Sequence, residues 1–363
     1  MQQKIRILQV FTTMGRGGAE TMIMNYYRCL DREKYQFDFL VHRKERAAYD
    51  DEIESMGGII YRAIPIHPQN YFLYFKFLDA FFYKHKGEYS AVHCHIQENS
   101  GFVLKYAAKY GIKNRLVTSH CAGKSLDLKY PFRLFASFFM RKYVTTCLSC
   151  GVDAGKALYG SREFTVLPNA INVDNFIFNE FVRDSLRKEL NLDDSFVIGN
   201  VARLSPEKNH LFMIDILGEV LKKKPNAKLV LVGNGQMYSK IQNRIKERSL
   251  EDKILMLGLR NDVNKILQTF DILLFPSVFE GLPMSVIEAQ ATGLQCFLSD
   301  SIDKNVKITD NVFFISLKND AKSWAEIILR NIPSTRGDMR DQIKKAGYDV
   351  KNNMKELLSL YFQ

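Results

Sequence analysis

Short apolar runs alternate with helical stretches along the whole chain, and this alternation restricts the fold more than any other feature. In the first half the runs are KIRILQVF, FDFLVH, GIIYRA, AVHCH, RLVTSH and VTTCLSC, separated by patterns such as AETMIMNYYRCLD and SGFVLKYAAKYG. The pattern starts afresh with SFVIGNVARL and continues through AKLVLVG, KILMLG, DILLFPS, QCFLSD and NVFFISL. Continuous apolar runs bounded by turn residues belong to strands covered on both faces, and strands alternating with helices build parallel sheets. The chain has 363 residues, beyond the size at which one core keeps growing, so two doubly wound Rossmann-like α/β domains in tandem are predicted. Pro, Asn and Asp break the periodicity in TVLPNAINVDNF, which sets the expected domains at 1–167 and 168–345. Ligands of open parallel sheets sit at the carboxyl ends of the strands. Two such sheets facing across a cleft would hold their functional residues just after the strands.

Hydrophobic residues make up 46% of the chain and charged residues 25%, which is ordinary for a globular protein. The net charge of +11 favours anionic partners: nucleic acid, a phosphorylated small molecule or an acidic membrane surface. No nucleic-acid recognition module is present. Met1 to Lys4 lead straight into a strand pattern, so no signal peptide is expected, and no apolar run approaches the ~20 residues of a membrane span. The six cysteines, Cys29, Cys94, Cys121, Cys147, Cys150 and Cys296, read as reduced thiols of a cytoplasm. Cys147 and Cys150 have redox-motif spacing, but no second ligand pair completes a metal site.

Three loops carry candidate chemistry. In Met14-Gly15-Arg16-Gly17-Gly18-Ala19-Glu20 the glycines let a ligand approach the backbone, and the helix start offers N–H groups to an anion or hydroxyl. A tight strand-to-helix turn is the plain alternative. Glu20 stands where a dinucleotide fingerprint needs its third glycine, and FDFLV ends in His42 instead of a ribose-binding acid, so NAD is not predicted. NVARLSPEKN places Arg203 just past a strand and Lys208 near the next helix start. A forked guanidinium and a mobile ammonium beside free amides suit a diphosphate, although such loops are often simply solvated. Gly233 and Gly235 follow the next strand. In FEGLPMSVIE, Pro283 suits a first helical turn, with Glu280 before it and Glu288 about a turn and a half into the helix. A ligand with a central diphosphate and hydroxyl-rich ends, a nucleotide sugar, fits between the two acids. The alternative is that both acids merely complement the helix dipole.

GGAE, VARLSPEKN, LVGNG and EGLPMSVIE stand in the order and context of the family 4 retaining glycosyltransferases of GT-B fold, which the chain resembles over essentially its whole length. It is most similar to the bacterial enzymes that build capsular polysaccharide, exopolysaccharide or lipopolysaccharide, and segment 298–317 resembles that subset too. The resemblance implies that Arg203 and Lys208 neutralise the leaving diphosphate, Glu280 binds hydroxyls of the transferred sugar and Glu288 holds the ribose. The backbone around Gly258-Leu259-Arg260 would meet the base. Gly233, Gly281, Leu282 and Pro283 would line the donor site, with Gly17 and Gly18 closing over phosphates and sugar. His120, in RLVTSHCAG, matches the active-site histidine that contacts the donor sugar. The resemblance further implies a UDP-hexose or UDP-N-acetylhexosamine donor, no cofactor or metal, retention of configuration by front-face attack, and a polyprenyl-diphosphate-linked glycan acceptor. The first domain would take the acceptor and the second the donor, and a last helix, 346–363, would pack back on the first. Two residues depart from the pattern: Cys121, where Asp is common, and Gln295, where Pro is usual. A nucleotide-sugar epimerase and a non-catalytic partner subunit are the rival readings, the latter opposed by the intact Arg203, Lys208, Glu280, Glu288 and His120.

Segment 71–86 carries eight aromatics with Lys76, Lys84 and Lys86, and segment 129–143 six aromatics with four cations and no acid. Such helices can lie on an anionic bilayer, which predicts a cytoplasmic, membrane-peripheral enzyme. The alternative is aromatics in the core and lysines in solvent.

Overall fold

Among the described residues thirteen strands form two parallel sheets, and the connections between them decide where loops gather. A computed structural model of the chain describes residues 4–121, 130–332 and 335–362. The chain divides into two units, Met1–Ile171 with Asp349–Gln363, and Asn172–Tyr348. The first unit holds β1 (Ile5–Phe11), β2 (Tyr35–Val41), β3 (Ile60–Arg62), β4 (Tyr89–Cys94), β5 (Asn114–Ser119), β6 (Thr146–Ser149) and β7 (Thr165–Val166) in the order β3-β2-β1-β4-β5-β6-β7. The second holds β8 (Phe196–Val201), β9 (Ala227–Val232), β10 (Ile254–Gly258), β11 (Ile272–Phe275), β12 (Gln295–Ser299) and β13 (Val312–Ile315) in the order β10-β9-β8-β11-β12-β13. Winding reverses between β1 and β4 in one sheet and between β8 and β11 in the other. The loops leaving those strands diverge there, and such reversals are where open α/β sheets bind ligands.

Side-chain alternation sends the first sheet into two cores. Leu8, Val10, Val92, Cys94 and Val117 pack under the helices Tyr71–Lys84, Ser100–Lys109 and Tyr130–Tyr143. Ile7, Phe37, Phe39, Ala91 and Leu116 face the helix Gly18–Cys29 and the last helix, Val350–Tyr361, whose Val350, Met354, Leu357 and Tyr361 complete that layer. Regular helix therefore begins at Val350, four residues after the expected 346. β7 and the helices Val152–Tyr159, Glu180–Glu189 and Ala321–Arg330 were not expected from the sequence. β7 is two residues long, and Glu180–Glu189 buries only Leu186 and Arg187, so neither carries much periodic signal.

Each aromatic segment divides between core and solvent. Tyr74, Leu78, Phe81 and Phe82 are buried, whereas Phe72 is 69% exposed, beside exposed Leu73 and Tyr83. In Tyr130–Tyr143 only Ala136 and Met140 are buried, and Phe132, Leu134, Phe135 and Phe138 are exposed. Lys129 lies outside the described residues. Among the described residues no helix is long and apolar enough to cross a membrane.

Gly101 sets the spacing of this helical layer, because a Cβ there would overlap the Ala136 carbonyl oxygen and the Met140 amide nitrogen. Both obstacles are backbone, so the helices must separate to admit a side chain. Gly101→Val is expected to lower stability by about 1–3 kcal/mol, read as a lower urea midpoint. An unchanged midpoint would mean that the two helices are not held at this distance.

Candidate functional site

The loop leaving β8 is held by the loop leaving β9. The Ala202 amide donates to the Val232 carbonyl at 3.0 Å and the Leu204 amide to the Asn234 carbonyl at 3.0 Å. Gly233 has φ +139°, and a Cβ there would overlap the Ala202 carbonyl oxygen. Gly235 similarly lies against the Leu204 carbonyl. Both glycines thus have a packing reason: they let two loops touch where a side chain would force them apart.

From Leu204 the chain makes a short 3₁₀ turn, Pro206–Lys208, and reverses at Asn209, which adopts the left-handed conformation at φ 58°. The Asn209 amide group donates to the Pro276 carbonyl at 3.2 Å, and the Val278 amide to the Glu207 carbonyl at 2.8 Å. These bonds join the loops that follow β8 and β11, the strands flanking the reversal. In consequence the Lys208 ammonium reaches the Glu280 carboxylate in a direct ion pair, with the ammonium also 5.1 Å from the Phe275 ring centroid. The pair is largely shielded, at 13% and 23% side-chain exposure, so its attraction is less screened than that of a surface pair. Arg203 is exposed and joins no ion pair among the described residues. Glu207 is held below its usual range, first by the Ser205 hydroxyl, then by its own backbone amide and the charges of Lys208 and Arg203.

Glu280 is anchored from the far side, bridging to Ile302, with the Asp303 amide 3.4 Å from its carbonyl. After it come exposed Gly281, half-buried Leu282 and buried Pro283. Pro283 is the cap and not the first helical residue: its φ of −72° and ψ of 113° are extended, and the helix Met284–Ala291 begins after it. Glu288 is therefore only the fifth helical residue, just over one turn in. Part of its surface stays accessible, but the surrounding protein is dense and no charge or hydrogen bond offsets it. Desolvation pushes its carboxyl up to about 7. Arg260 spends its guanidinium on Asp262 in a two-point contact of 2.8 and 2.7 Å, next to exposed Leu259.

In the first unit Gly17 caps the helix Gly18–Cys29 in an extended conformation. The Glu20 carboxylate folds back onto it, close enough to overlap a Cβ at Gly17. The helix start thus already has an acid near its free amides. Gly18 faces Asn169 at van der Waals distance. His42 bonds the Phe11 carbonyl at 2.8 Å and the Tyr74 hydroxyl at 2.9 Å, a structural use for the residue that replaces a ribose-binding acid. His120, beyond β5, pairs its Nε2 with His95 Nδ1 at 2.9 Å, while its Nδ1 is buried with no partner among the described residues. Burial lowers its pKa to about 4. His95 is not among the residues singled out by type in the sequence, although AVHCH signals it: alternation places His93 and His95 on one face of a strand leading to the ligand edge. Among the described residues no group of three or more His, Cys, Asp or Glu is placed to hold a metal ion.

Two doubly wound parallel sheets in tandem are the elements of the GT-B architecture. The model described as "Glycosyl transferases group 1" matches residues 182–350. The chain is 33% identical to the putative glycosyltransferase EpsF of Bacillus subtilis (strain 168), covering 98% of this chain and 96% of that protein, and it belongs to the glycosyl transferases group 1 family. It is 29% identical to the UDP-Gal:alpha-D-GlcNAc-diphosphoundecaprenol alpha-1,3-galactosyltransferase of Escherichia coli, over 68% of this chain and 67% of that protein. In fold it is similar to Anabaena Alr3699/HepE, solved in complex with UDP-glucose, with a TM-score of 0.76 at 18% identity over 98% of this chain and 99% of that one.

The raised carboxyl of Glu288 has a consequence for stability. Its folded pKa, about 7, exceeds the ordinary carboxyl value of 4.5. As pH climbs from 4.5 through 7 the unfolded chain releases this proton before the folded chain does, so the wild type loses stability over that window and does not regain it above. Glu288→Gln removes the loss. The variant is expected to match wild type at pH 4 and exceed it by about 3 kcal/mol at pH 8, read by urea unfolding at both pH values. Equal differences at the two pH values would mean that burial does not hold Glu288 protonated.

Proposed function

We propose that this chain transfers a sugar from a UDP-hexose or UDP-N-acetylhexosamine to a glycan carried on a polyprenyl diphosphate, with retention of configuration and without a metal, in the manner of family 4. The observation that carries the proposal is the shielded Lys208–Glu280 pair beside exposed Arg203 and the unpaired carboxyl of Glu288. A diphosphate arriving at Lys208 and Arg203 draws the ammonium from Glu280. That carboxylate is then free to accept sugar hydroxyls, while Glu288 accepts from the ribose. Positive side chains hold the charge that develops on the departing diphosphate, the service a divalent cation would otherwise supply. The backbone of residues 258–260 meets the base, with Gly233 and residues 281–283 shaping the same pocket. Gly17, Gly18 and His120 serve the phosphates and the transferred sugar, as the resemblance implies.

The undecaprenol-linked acceptor in the name of the E. coli relative supports a lipid-linked acceptor in surface polysaccharide synthesis. Exposed Phe72, Leu73, Phe132, Leu134, Phe135 and Phe138, on helices that also carry Lys76, Lys84, Arg141 and Lys142, support peripheral contact with an anionic bilayer at its cytoplasmic face. The first unit then takes the acceptor and the second the donor.

Thermal shift and slow hydrolysis with a panel of UDP-, GDP- and ADP-sugars test the donor site. One UDP-sugar is expected to stabilise and be hydrolysed by wild type in the presence of EDTA. Lys208→Ala is expected to bind it roughly 10–100-fold more weakly, as loss of a charge-assisted contact predicts. Equal binding by the variant, or dependence on added metal, overturns the diphosphate assignment. Cosedimentation is expected with phosphatidylglycerol vesicles and not with phosphatidylcholine vesicles, and to fall on Phe138→Ser with Phe72→Ser. Equal partition to both lipids rejects the anionic-surface reading.

A further inference from the structure

Six side chains of the first unit, drawn from β1, β4, β5, the residues just after β4 and β5, and the last helix, form one hydrogen-bonded chain. Tyr361 Oη lies 2.9 Å from Gln9 Nε2 and 2.8 Å from His93 Nδ1, and His93 Nε2 lies 2.6 Å from Thr118 Oγ1. Gln9 Oε1 lies 3.2 Å from His95 Nε2, and His95 Nδ1 lies 2.9 Å from His120 Nε2. Phe11 stacks on the His95 ring at 4.2 Å. Burial, reinforced for His93 and His95 by the neighbouring imidazoles, depresses all three histidines, His93 to about 3, His120 to about 4 and His95 well below its ordinary value. All three rings are neutral near pH 7, so each carries one N–H and one lone pair.

The positions of the His95 and His120 protons then follow from Gln9, and that of the His93 proton from giving the buried Tyr361 hydroxyl an acceptor. Its amide nitrogen only donates, so the Tyr361 oxygen accepts from it and turns its own O–H to His93 Nδ1. The one proton of His93 sits on Nε2 and goes to Thr118. The Gln9 carbonyl only accepts, so His95 carries its proton on Nε2 and presents a bare Nδ1, to which His120 Nε2–H donates. His120 Nδ1 is left as a lone pair, buried and without a partner among the described residues. Turning the Gln9 amide over would move every imidazole proton to the other nitrogen and leave an unpartnered N–H at His120. A buried orphan N–H is the rarer and costlier of the two, so the end of the chain at His120 favours the polarity described.

We propose that Gln9 and Tyr361, acting through His95, are positioning residues that hold His120 as the Nε2–H tautomer, so that its Nδ1 accepts a hydroxyl hydrogen of the transferred sugar. The use of that lone pair rests on the assignment of His120 to the donor sugar, whereas the tautomer does not. A hydroxyl that meets an acceptor must donate, so a sugar position that carries an ether is refused there.

Two-bond ¹H–¹⁵N correlation spectra of the full-length protein, labelled in its histidines, read the tautomers directly at pH 7, with His120 identified by the signal lost in His120→Asn. His93, His95 and His120 are expected to be protonated on Nε2 alone. An Nδ1–H on His120, or a charged ring, overturns the proposal without recourse to any variant. Tyr361→Phe keeps the ring but frees the Gln9 amide to turn. It is expected to give mixed tautomers at His120 and to lower kcat for sugar transfer roughly tenfold at an unchanged donor KM, as loss of an orienting group does. A Tyr361→Phe protein with wild-type spectra and wild-type kcat overturns the role given to Tyr361. If the wild-type tautomer is as expected but His120→Asn transfers sugar at the wild-type rate, the assignment of His120 to the donor sugar fails and the proton order stands.

Discussion

A parallel strand in a doubly wound sheet is covered on both faces, and its middle has little room for polar side chains. In both sheets that requirement drives function to the strand ends, and the reversals at β1/β4 and β8/β11 decide which ends matter. Each set of candidate residues follows a strand at or next to a reversal: Gly17 after β1, His95 after β4, His120 after β5, Arg203 and Lys208 after β8, Glu280 after β11. Gln9, like His93 and Thr118, is a polar side chain within a strand. It is fully buried within β1, tolerated because Tyr361 and His95 occupy both ends of its amide.

The charged residues of the second unit are arranged to be incomplete. Lys208 and Glu280 satisfy each other, yet both retain some exposure, and Arg203 has no ion partner among the described residues. A ligand that takes Lys208 gains only the difference between its own anion and Glu280, but it returns Glu280 as a free acceptor. Truncating one partner of such a pair leaves the other charge uncompensated, which makes the pair more sensitive to mutation than its net contribution to stability suggests. Glu288 is the complementary case, a carboxyl whose charged form burial disfavours and hydrogen-bond donors would favour.

The strands were legible because parallel strands write themselves as apolar runs, and every strand but β7 is visible in the sequence. Arg203, Lys208, Glu280 and Glu288 could be selected because their residue types match one ligand chemistry at positions after strands. What escaped is what depends on tertiary contact. Gly233 reads as space for a ligand, but the Ala202 carbonyl sits against it. His95 acquires meaning only through Gln9 and Tyr361, and the latter lies 352 residues from the former. A bond of that separation leaves no periodicity to find.

The two sets of polar groups differ in kind, and the difference follows from what each can afford to bury. The second unit keeps its cations and Glu280 near solvent, where a charge without its ligand is tolerable. Among the described residues the hydrogen-bonded chain that ends at His120 holds only neutral groups, three imidazoles, an amide and two hydroxyls, and can therefore be largely buried. A neutral, largely buried chain gives up long-range attraction for a fixed direction at each hydrogen bond. Direction is what recognition of an uncharged hydroxyl requires, since such a group supplies no charge to steer by and must be told from its neighbours by whether it donates or accepts.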